Sequence, residues 1–379
     1  MIQLIPFNRP CVVGGEEEYM QEAISRGKLS GKGPFGKKCS RWLEDQLGCE
    51  RAFMTPSCTA ALEMAALLTE AGPEGEVIMP SYTFVSTANA FALRGAAIRF
   101  VDVDEKTLNI DPEQIKQAIT RRTKAIVVVH YAGVACEMDE IMKLAEEHGL
   151  WVIEDAAQAL TSTYKGRPLG AIGHLSAFSF HETKNYTCGE GGALIINHAP
   201  LIERAEMIQE KGTNRAQFSR GMVDKYSWRD LGSSYVISEL NTAYLYRQLQ
   251  NIGQINKDRK KTWKAYAEGL EHVMALNNVE GPHIPDEAEH NAHMFYLKCR
   301  NHNERAELMD YLKKNDIVSV PHYVPLHSSH AGKKYGVFAG EDLYTTKDSE
   351  RLVRLPLYYG MLEEDVRYVV KQIQLFYQV

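Results

Sequence analysis

Trp151-Val152-Ile153-Glu154-Asp155-Ala156-Ala157-Gln158 is an apolar run that ends in two acids, and Ser176-Ala177-Phe178-Ser179-Phe180-His181-Glu182-Thr183-Lys184-Asn185-Tyr186 is a β-rich run that leads into a lysine. A glycine-rich turn, Gly189-Glu190-Gly191-Gly192, separates that lysine from the next apolar run, Ala193–Ile196. Runs of the same kind stand upstream at Glu76–Met79, Ile98–Val101 and Ala125–Val129. Helix-like stretches lie among them at Cys58–Leu68, Ser86–Arg94, Pro112–Ile119 and Met138–His148. Strands that are continuously apolar are buried on both faces. The alternation therefore predicts an α/β fold with a mainly parallel sheet wrapped by helices, its strands including Trp151–Ile153 and Ala177–Phe180.

Beyond this region the pattern changes. Ser238–His272 reads as a single long helix able to bridge two lobes. A strand at His293–Lys298, a helix near Glu304–Asn315, a strand at Val318–Val320 and a final helix from Glu363 predict a smaller α+β domain. The expected division is 1–250 for the large domain and 251–379 for the small one. Lys211–Asp230 is polar and contains glycine, the composition of a long mobile loop.

The 379 residues, 44% hydrophobic and 24% charged, suffice for two domains with a full core. A net charge of -6 gives no general attraction to nucleic acid or an anionic membrane. No run approaches eighteen apolar residues, and Met1–Pro6 lacks the features of a signal peptide, so the expected location is cytoplasmic. Seven scattered cysteines without CxxC fit reduced thiols, and thirteen histidines without HExxH give no metal signature, so no metal is expected.

In parallel sheets ligands bind beyond the carboxyl ends of the strands. Asp155 and Lys184, 29 residues apart, each follow a strand and could meet at one such edge. Taken alone, the acid is as well read as a helix cap and the lysine as a surface charge. Together they are the pair that pyridoxal phosphate requires. A lysine holds the cofactor's aldehyde carbon and moves protons at the substrate carbon, while an acid keeps the pyridine nitrogen protonated. Thr55-Pro56-Ser57-Cys58-Thr59 offers small hydroxyl residues at a helix start, suited to a phosphate or simply to capping. Gly31-Lys32-Gly33-Pro34-Phe35-Gly36 matches GxGxxG, but it follows a helix-like segment and contains proline, which is the wrong context for a dinucleotide. Cys188, near the lysine, reads as inert packing.

With Pro80-Ser81-Tyr82-Thr83-Phe84, Val101-Asp102-Val103-Asp104, Glu154–Gln158 and Ser179–Asn185, the sequence resembles the DegT/DnrJ/EryC1/StrS aminotransferases from end to end. The resemblance implies the aspartate-aminotransferase fold (PLP fold type I) and a homodimer with shared active sites. Lys184 would bear the cofactor, Asp155 face its ring nitrogen, Gln158 lie near its ring hydroxyl and Phe84 stack on it. Thr55, Ser57, Cys58, Thr59 and Ser179 would surround the phosphate. Ser234, in Gly232-Ser233-Ser234-Tyr235, stands where the family's partner subunit supplies an asparagine. Lys28, Phe84, Tyr186, Arg220, Arg229, Tyr323 and His327 would line the substrate path. The Gly31–Gly36 loop would border the sugar, and the basic residues of 211–230 would meet a diphosphate. The implied reaction takes an amine from L-glutamate and delivers it to dTDP-4-keto-6-deoxyglucose, giving 2-oxoglutarate and dTDP-4-amino-4,6-dideoxygalactose for surface polysaccharide. Alternatives are a 3-keto or UDP-linked sugar, or a non-catalytic binder of nucleotide sugars. Related dehydratases carry histidine at the lysine position, and Lys184 argues against that chemistry.

Overall fold

The apolar runs assemble into one eight-stranded sheet in a computed structural model that describes residues 4–276 and 279–379. Met1, Ile2 and Gln3 of the N-terminal stretch lie outside the described residues. The strands are β1 (Arg51–Thr55), β2 (Glu76–Pro80), β3 (Ala97–Val101), β4 (Thr123–Val129), β5 (Trp151–Asp155), β6 (Leu175–Ser179), β7 (Gly192–Ile196) and β8 (Gly336–Phe338). Their order is β1-β7-β6-β5-β4-β2-β3-β8. From β6 to β8 every neighbour is parallel, while β7 runs antiparallel to both β6 and β1. β2 and β7 are buried along their whole length, and the one charged residue, Glu76 at the start of β2, meets Thr120, Arg99 and Arg122.

Register brings acid and lysine together. Asp155 closes β5 level with Val129 of β4 and Ala177 of β6. β6 and β7 then form a hairpin paired as far as Ser179 and Gly192, so the connection carrying Lys184 leaves from the edge where Asp155 ends.

The smaller sheet, with strands Val279–Glu280, Phe295–Cys299 and Leu352–Leu355, is antiparallel. The helices Ile252–Gly269, His302–Lys314 and Glu363–Tyr377 pack with it around Tyr266, Phe295, Leu308, Val353 and Val369.

Several expectations are corrected. The single helix over 238–272 is two helices, Glu239–Gln250 and Ile252–Gly269, followed by Glu271–Ala275. Asn251 leaves helical geometry at φ -110°, ψ 14°, and its side chain donates to the Arg247 carbonyl, ending the first helix. Val318–Val320 makes only a bridge from Val320 to Arg354, because Pro321 has no N–H with which to continue a ladder. β8 and the strand Leu352–Leu355 were not expected, while β1 supplies the strand implied by a strand-to-helix junction at Thr55. Lys211–Asp230 is more ordered than its composition suggests: it holds a short helix, Arg215–Ser219, and a bridge between Thr213 and Trp228. Gly212, at φ +73°, accepts hydrogen bonds from the Arg229 and Asp230 amides, and a Cβ there would strike the Asp230 carbonyl. No helix among the described residues is long and apolar enough to cross a membrane.

Candidate active site

Alternation along β5 sends its two terminal acids to opposite faces. Glu154 turns into a closed nest. Its carboxylate meets His130 Nε2 at 2.9 Å and accepts from the amides of Gly170 (2.7 Å), Ile172 (2.8 Å) and Gly173 (2.6 Å). Asp155 turns into a cleft of about 670 Å³. There its carboxylate accepts from Thr87 Oγ1 at 2.8 Å and from the Ala157 amide at 3.2 Å.

Lys184 lines the same cleft. Burial lowers its pKa, against the opposing influence of Cys58 and Asp155. Burial raises the carboxyl of Asp155, against the Thr87 and Ala157 hydrogen bonds and the charges of Lys184 and His130. The other acids nearby are engaged elsewhere, Glu190 with His181 and Glu154 in its nest.

The floor of the cleft is the start of the helix Cys58–Leu68. Ser57 caps it, its Oγ accepting from the Ala60 amide at 3.1 Å, so the capping reading holds as well. Thr59 Oγ1 lies 2.8 Å from Ser86 Oγ, and Ser179 borders the same hollow. Gly192 is required here. A Cβ on it would sit 2.4 Å from the Ser57 carbonyl carbon and 2.5 Å from the Cys58 nitrogen, closing β7 against the helix start.

The roof is aromatic. Phe84 is 56% exposed although it caps a helix beside the core, and its free face is in the cleft. Tyr323 stands 6.3 Å from it, with its hydroxyl accepting from Gln158 Nε2 at 3.1 Å. Gln158 Oε1 takes the Ala132 amide at 2.7 Å, which fixes the side chain from its other end.

This donor set fits pyridoxal phosphate. Backbone amides at a helix start suit the phosphate, a buried acid the ring nitrogen, an aromatic face the ring, and a lysine of lowered pKa the aldehyde. Bound there, the cofactor supplies an electron sink for the carbon that exchanges its amine.

Of the residues expected at the site, Ser57, Cys58, Thr59, Phe84, Asp155, Gln158, Ser179, Lys184 and Tyr323 line the cleft. The others lie elsewhere in this chain. Thr55 is buried beneath the helix start and donates to the Ser57 carbonyl. Tyr186 is buried, its hydroxyl taken by Thr161 and Asn256. His327 bonds Ser81 and pairs with Asp342. Lys28 is exposed and donates to Ser30, Ser234 is exposed on a bridge with Glu210, and Arg229 is exposed. Arg220 pairs with Glu206 and lines a separate hollow with Lys32, Lys37, Arg41, Arg51 and Arg215.

The Gly31–Gly36 motif starts the helix Pro34–Leu47, whose first amides, Phe35 and Gly36, already donate to the buried Glu239 carboxylate. An anion is thus built in where a dinucleotide phosphate would have to lie. Cys188 is buried and its thiol is pushed up to about 12 by burial, as inert packing requires.

Sequence reasoning missed Thr87, which bonds Asp155, and the lining residues Phe7, Asn8, Arg259, His293, His322 and Arg354. Thr87 had a signal, since it lies one turn into the helix that Phe84 starts. His322 adjoins Tyr323, which the resemblance placed near the substrate, while the others come from distant segments and had no signal.

A family model described as the DegT/DnrJ/EryC1/StrS aminotransferase family matches residues 10–374. The spore coat polysaccharide biosynthesis protein SpsC of Bacillus subtilis is 32% identical over 98% of this chain and 96% of its own length. Among solved structures, the aminotransferase TlmJ from Streptoalloteichus hindustanus superposes with a TM-score of 0.90 at 27% identity, over 99% of each chain. A Streptococcus pneumoniae protein described as a sugar aminotransferase, in its PLP form, gives 0.87 at 25% identity, again over 99% of each. The fold is therefore PLP fold type I, and the chain belongs to the DegT/DnrJ/EryC1/StrS aminotransferase family as an enzyme whose cofactor is pyridoxal phosphate.

Proposed function

We propose that this aminotransferase moves an amine from L-glutamate to dTDP-4-keto-6-deoxyglucose, giving 2-oxoglutarate and dTDP-4-amino-4,6-dideoxygalactose. The observation that carries the transfer chemistry is the pairing, in one cleft, of a lysine lowered by burial with an acid raised by burial. Burial makes the neutral amine of Lys184 accessible, which is the form that can attack an aldehyde and take a proton. Lys184 would hold the cofactor, and its amine would accept and return the proton at the reacting carbon. Asp155, oriented by Thr87, would hold a proton on the ring nitrogen. Phe84, Gln158 and Tyr323 line the cleft, where Phe84 would cover the ring and exclude water and the other two would hold its hydroxyl edge.

A nucleotide-linked sugar is supported by the likeness to a polysaccharide biosynthesis protein and to a sugar aminotransferase. The proposal includes a homodimer. Phe218, Met222, Tyr226, Trp228 and Leu231 are all at least 43% exposed within one short segment, an apolar surface that a second copy would cover. Arg220 and Arg229 in that segment would then serve the diphosphate, and Ser234 the phosphate, in the partner's cleft. Division of the chain near residue 250 belongs to the same reading, with Lys184 and Asp155 before it and Tyr323 after it.

The test is incubation with glutamate and dTDP-4-keto-6-deoxyglucose, its 3-keto isomer or UDP-linked keto-sugars, with the product read by NMR. An amine at C4 of the dTDP sugar is expected. An amine at C3, or preference for UDP, overturns the sugar assigned here. Replacing Arg220 and Arg229 with Ala should raise the KM for the sugar nucleotide well above any change for glutamate. Equal changes would remove the loop from the proposal.

A further inference from the structure

His293 enters the cleft from just before the strand Phe295–Cys299, at the end of a strained loop. Ala292 precedes it at φ +53°, a left-handed conformation unfavourable to any residue with a Cβ. The loop keeps that conformation because it is bonded on two sides. Arg259 donates from Nε to the Ala292 carbonyl at 3.1 Å and from Nη2 to the His293 carbonyl at 2.7 Å. Asn291 donates to the Gln158 and Leu160 carbonyls, each at 2.9 Å. Strain imposed in this way, at the wall of a reacting cleft, points to a side chain whose position matters.

The protons of the His293 ring can be counted. Asn185, the residue after Lys184, donates through Nδ2 to the Asn291 carbonyl at 3.0 Å. Its Oδ1 is therefore the atom that faces His293 Nδ1 at 2.9 Å, and an amide oxygen only accepts. The ring proton must sit on Nδ1. Nε2 has no hydrogen bond among the described residues. Burial, and then the charges of Lys184, Arg259 and Arg354, hold the imidazole well below its usual pKa, so the ring is neutral and Nε2 is a bare acceptor. The remaining titratable group against it is His322, which is also held neutral. Of the three charges that act on His293, that of Lys184 is the largest.

Lys184 needs an atom of this kind. Burial favours its neutral amine, and the same burial leaves its ammonium short of partners once the amine has taken a proton. The nearby acids are engaged, Asp155 with Thr87 and Ala157, and Glu190 with His181. A free carboxylate in this place would hold the proton on the lysine too firmly for it to be returned. A neutral acceptor orients the ammonium without trapping it.

We propose that His293 is a positioning residue for Lys184, its Nε2 accepting a hydrogen bond from the lysine's ammonium while Asn185 fixes the tautomer that leaves Nε2 free. The inference rests on the proton-transfer role given to Lys184 above, and not on the identity of the sugar or of the amine donor.

The test uses the full chain loaded with pyridoxamine phosphate, in which Lys184 is a free amine. Nitrogen NMR of protein labelled with ¹⁵N-histidine reads the tautomer, with the His293 signals identified by their loss in His293→Gln. A protonated Nδ1 and a bare Nε2 are expected. Competitive acetylation across pH, read by peptide mass spectrometry, gives the titration midpoint of Lys184. His293→Phe should lower that midpoint by about one unit and slow the single-turnover amine transfer at saturating amino acid by about 10-fold. His293→Gln, whose Oε1 is an acceptor, should recover most of both. Asn185→Leu should give a mixture of tautomers and an intermediate midpoint. A proton on Nε2 in wild type overturns the proposal, as does an unmoved midpoint in His293→Phe or a His293→Gln no better than His293→Phe. A ring that stays wholly Nδ1-protonated in Asn185→Leu overturns the part given to Asn185. Borohydride fixation of pyridoxal phosphate separates the two readings. If wild type does not fix it at Lys184, the role of the lysine itself falls; if it does and the midpoint is unmoved, only that of His293 falls.

Discussion

Glu154 and Asp155 are neighbours in sequence, both buried, and both at the end of β5, yet their surroundings have opposite characters. Glu154 has four donors on its carboxylate, three of them backbone amides. Burial pushes its pKa up, but His130 and the amides outweigh burial and hold it below the usual range. Asp155 has two donors and a carboxyl that burial keeps above the usual range. A fully bonded carboxylate has no capacity left for a ligand, whereas a partly bonded one gains from a cation that arrives. The nest holds the Gly170–Gly173 turn before β6, and so sets where β6 begins. The open acid faces the chemistry.

Removing the lysine breaks the Asp155 side of this contrast most severely. Lys184→Ala should abolish turnover and remove the covalent, borohydride-fixable attachment of the cofactor while the fold survives. Mass spectrometry after borohydride, together with circular dichroism, checks both points. Asp155→Asn comes next. The cofactor should remain bound, but the ring nitrogen loses its charge partner and transfer should slow by about 10²-fold or more. A near-normal rate would move this role away from Asp155.

Glu154→Gln tests the other side. One amide acceptor becomes an NH₂ facing backbone N–H groups, so donors confront donors in a buried nest. The expected cost is about 3 kcal/mol of stability, with single-turnover rate in the surviving holoenzyme within about 10-fold of wild type. Denaturant unfolding and rapid-mixing absorbance separate the two quantities. A large rate loss with unchanged stability would reverse the roles assigned to the two acids.

Which of the two acids faces the ligand came from the family resemblance, because alternation gives opposite faces without saying which face is covered. The sheet itself was legible from continuous apolar runs, since burial on both faces leaves no polar alternation. Asp155 and Lys184 were legible because both sit on local strand-end signals. Arg354 was not, since it lies on a short strand whose partner, Phe295–Cys299, is nearly sixty residues away in sequence. Tyr186 was placed in the substrate path by likeness alone, and its hydroxyl is instead spent on Thr161 and Asn256. The break at Asn251 was missed for a related reason. Helical periodicity continues through it, and only the local side-chain hydrogen bond marks the end.

The smallest effect is the one in which the two acids should differ in sign. Glu154, lowered in the folded state, contributes stability that is present above its unfolded value, near 4.5, and is lost as pH falls through the folded value. Asp155, raised in the folded state, contributes stability that is present below its unfolded value, near 3.8, and is lost as pH rises through the folded value. At pH 7 the cofactor-free protein therefore gains from Glu154 and bears a cost from Asp155. Asp155→Asn should relieve that cost, stabilising cofactor-free protein by about 1 kcal/mol at pH 7 and by little at pH 4. Glu154→Gln should do the opposite, with its penalty greatest at pH 7 and shrinking as pH falls. Thermal unfolding of both variants and wild type across pH 4–8, without cofactor, reads the two slopes. Cofactor added back should erase the gain in Asp155→Asn, because wild type then regains a cation beside Asp155 that the variant cannot use. Parallel slopes for the two variants would mean that the acids share one environment, and the division between nest and cleft would fail.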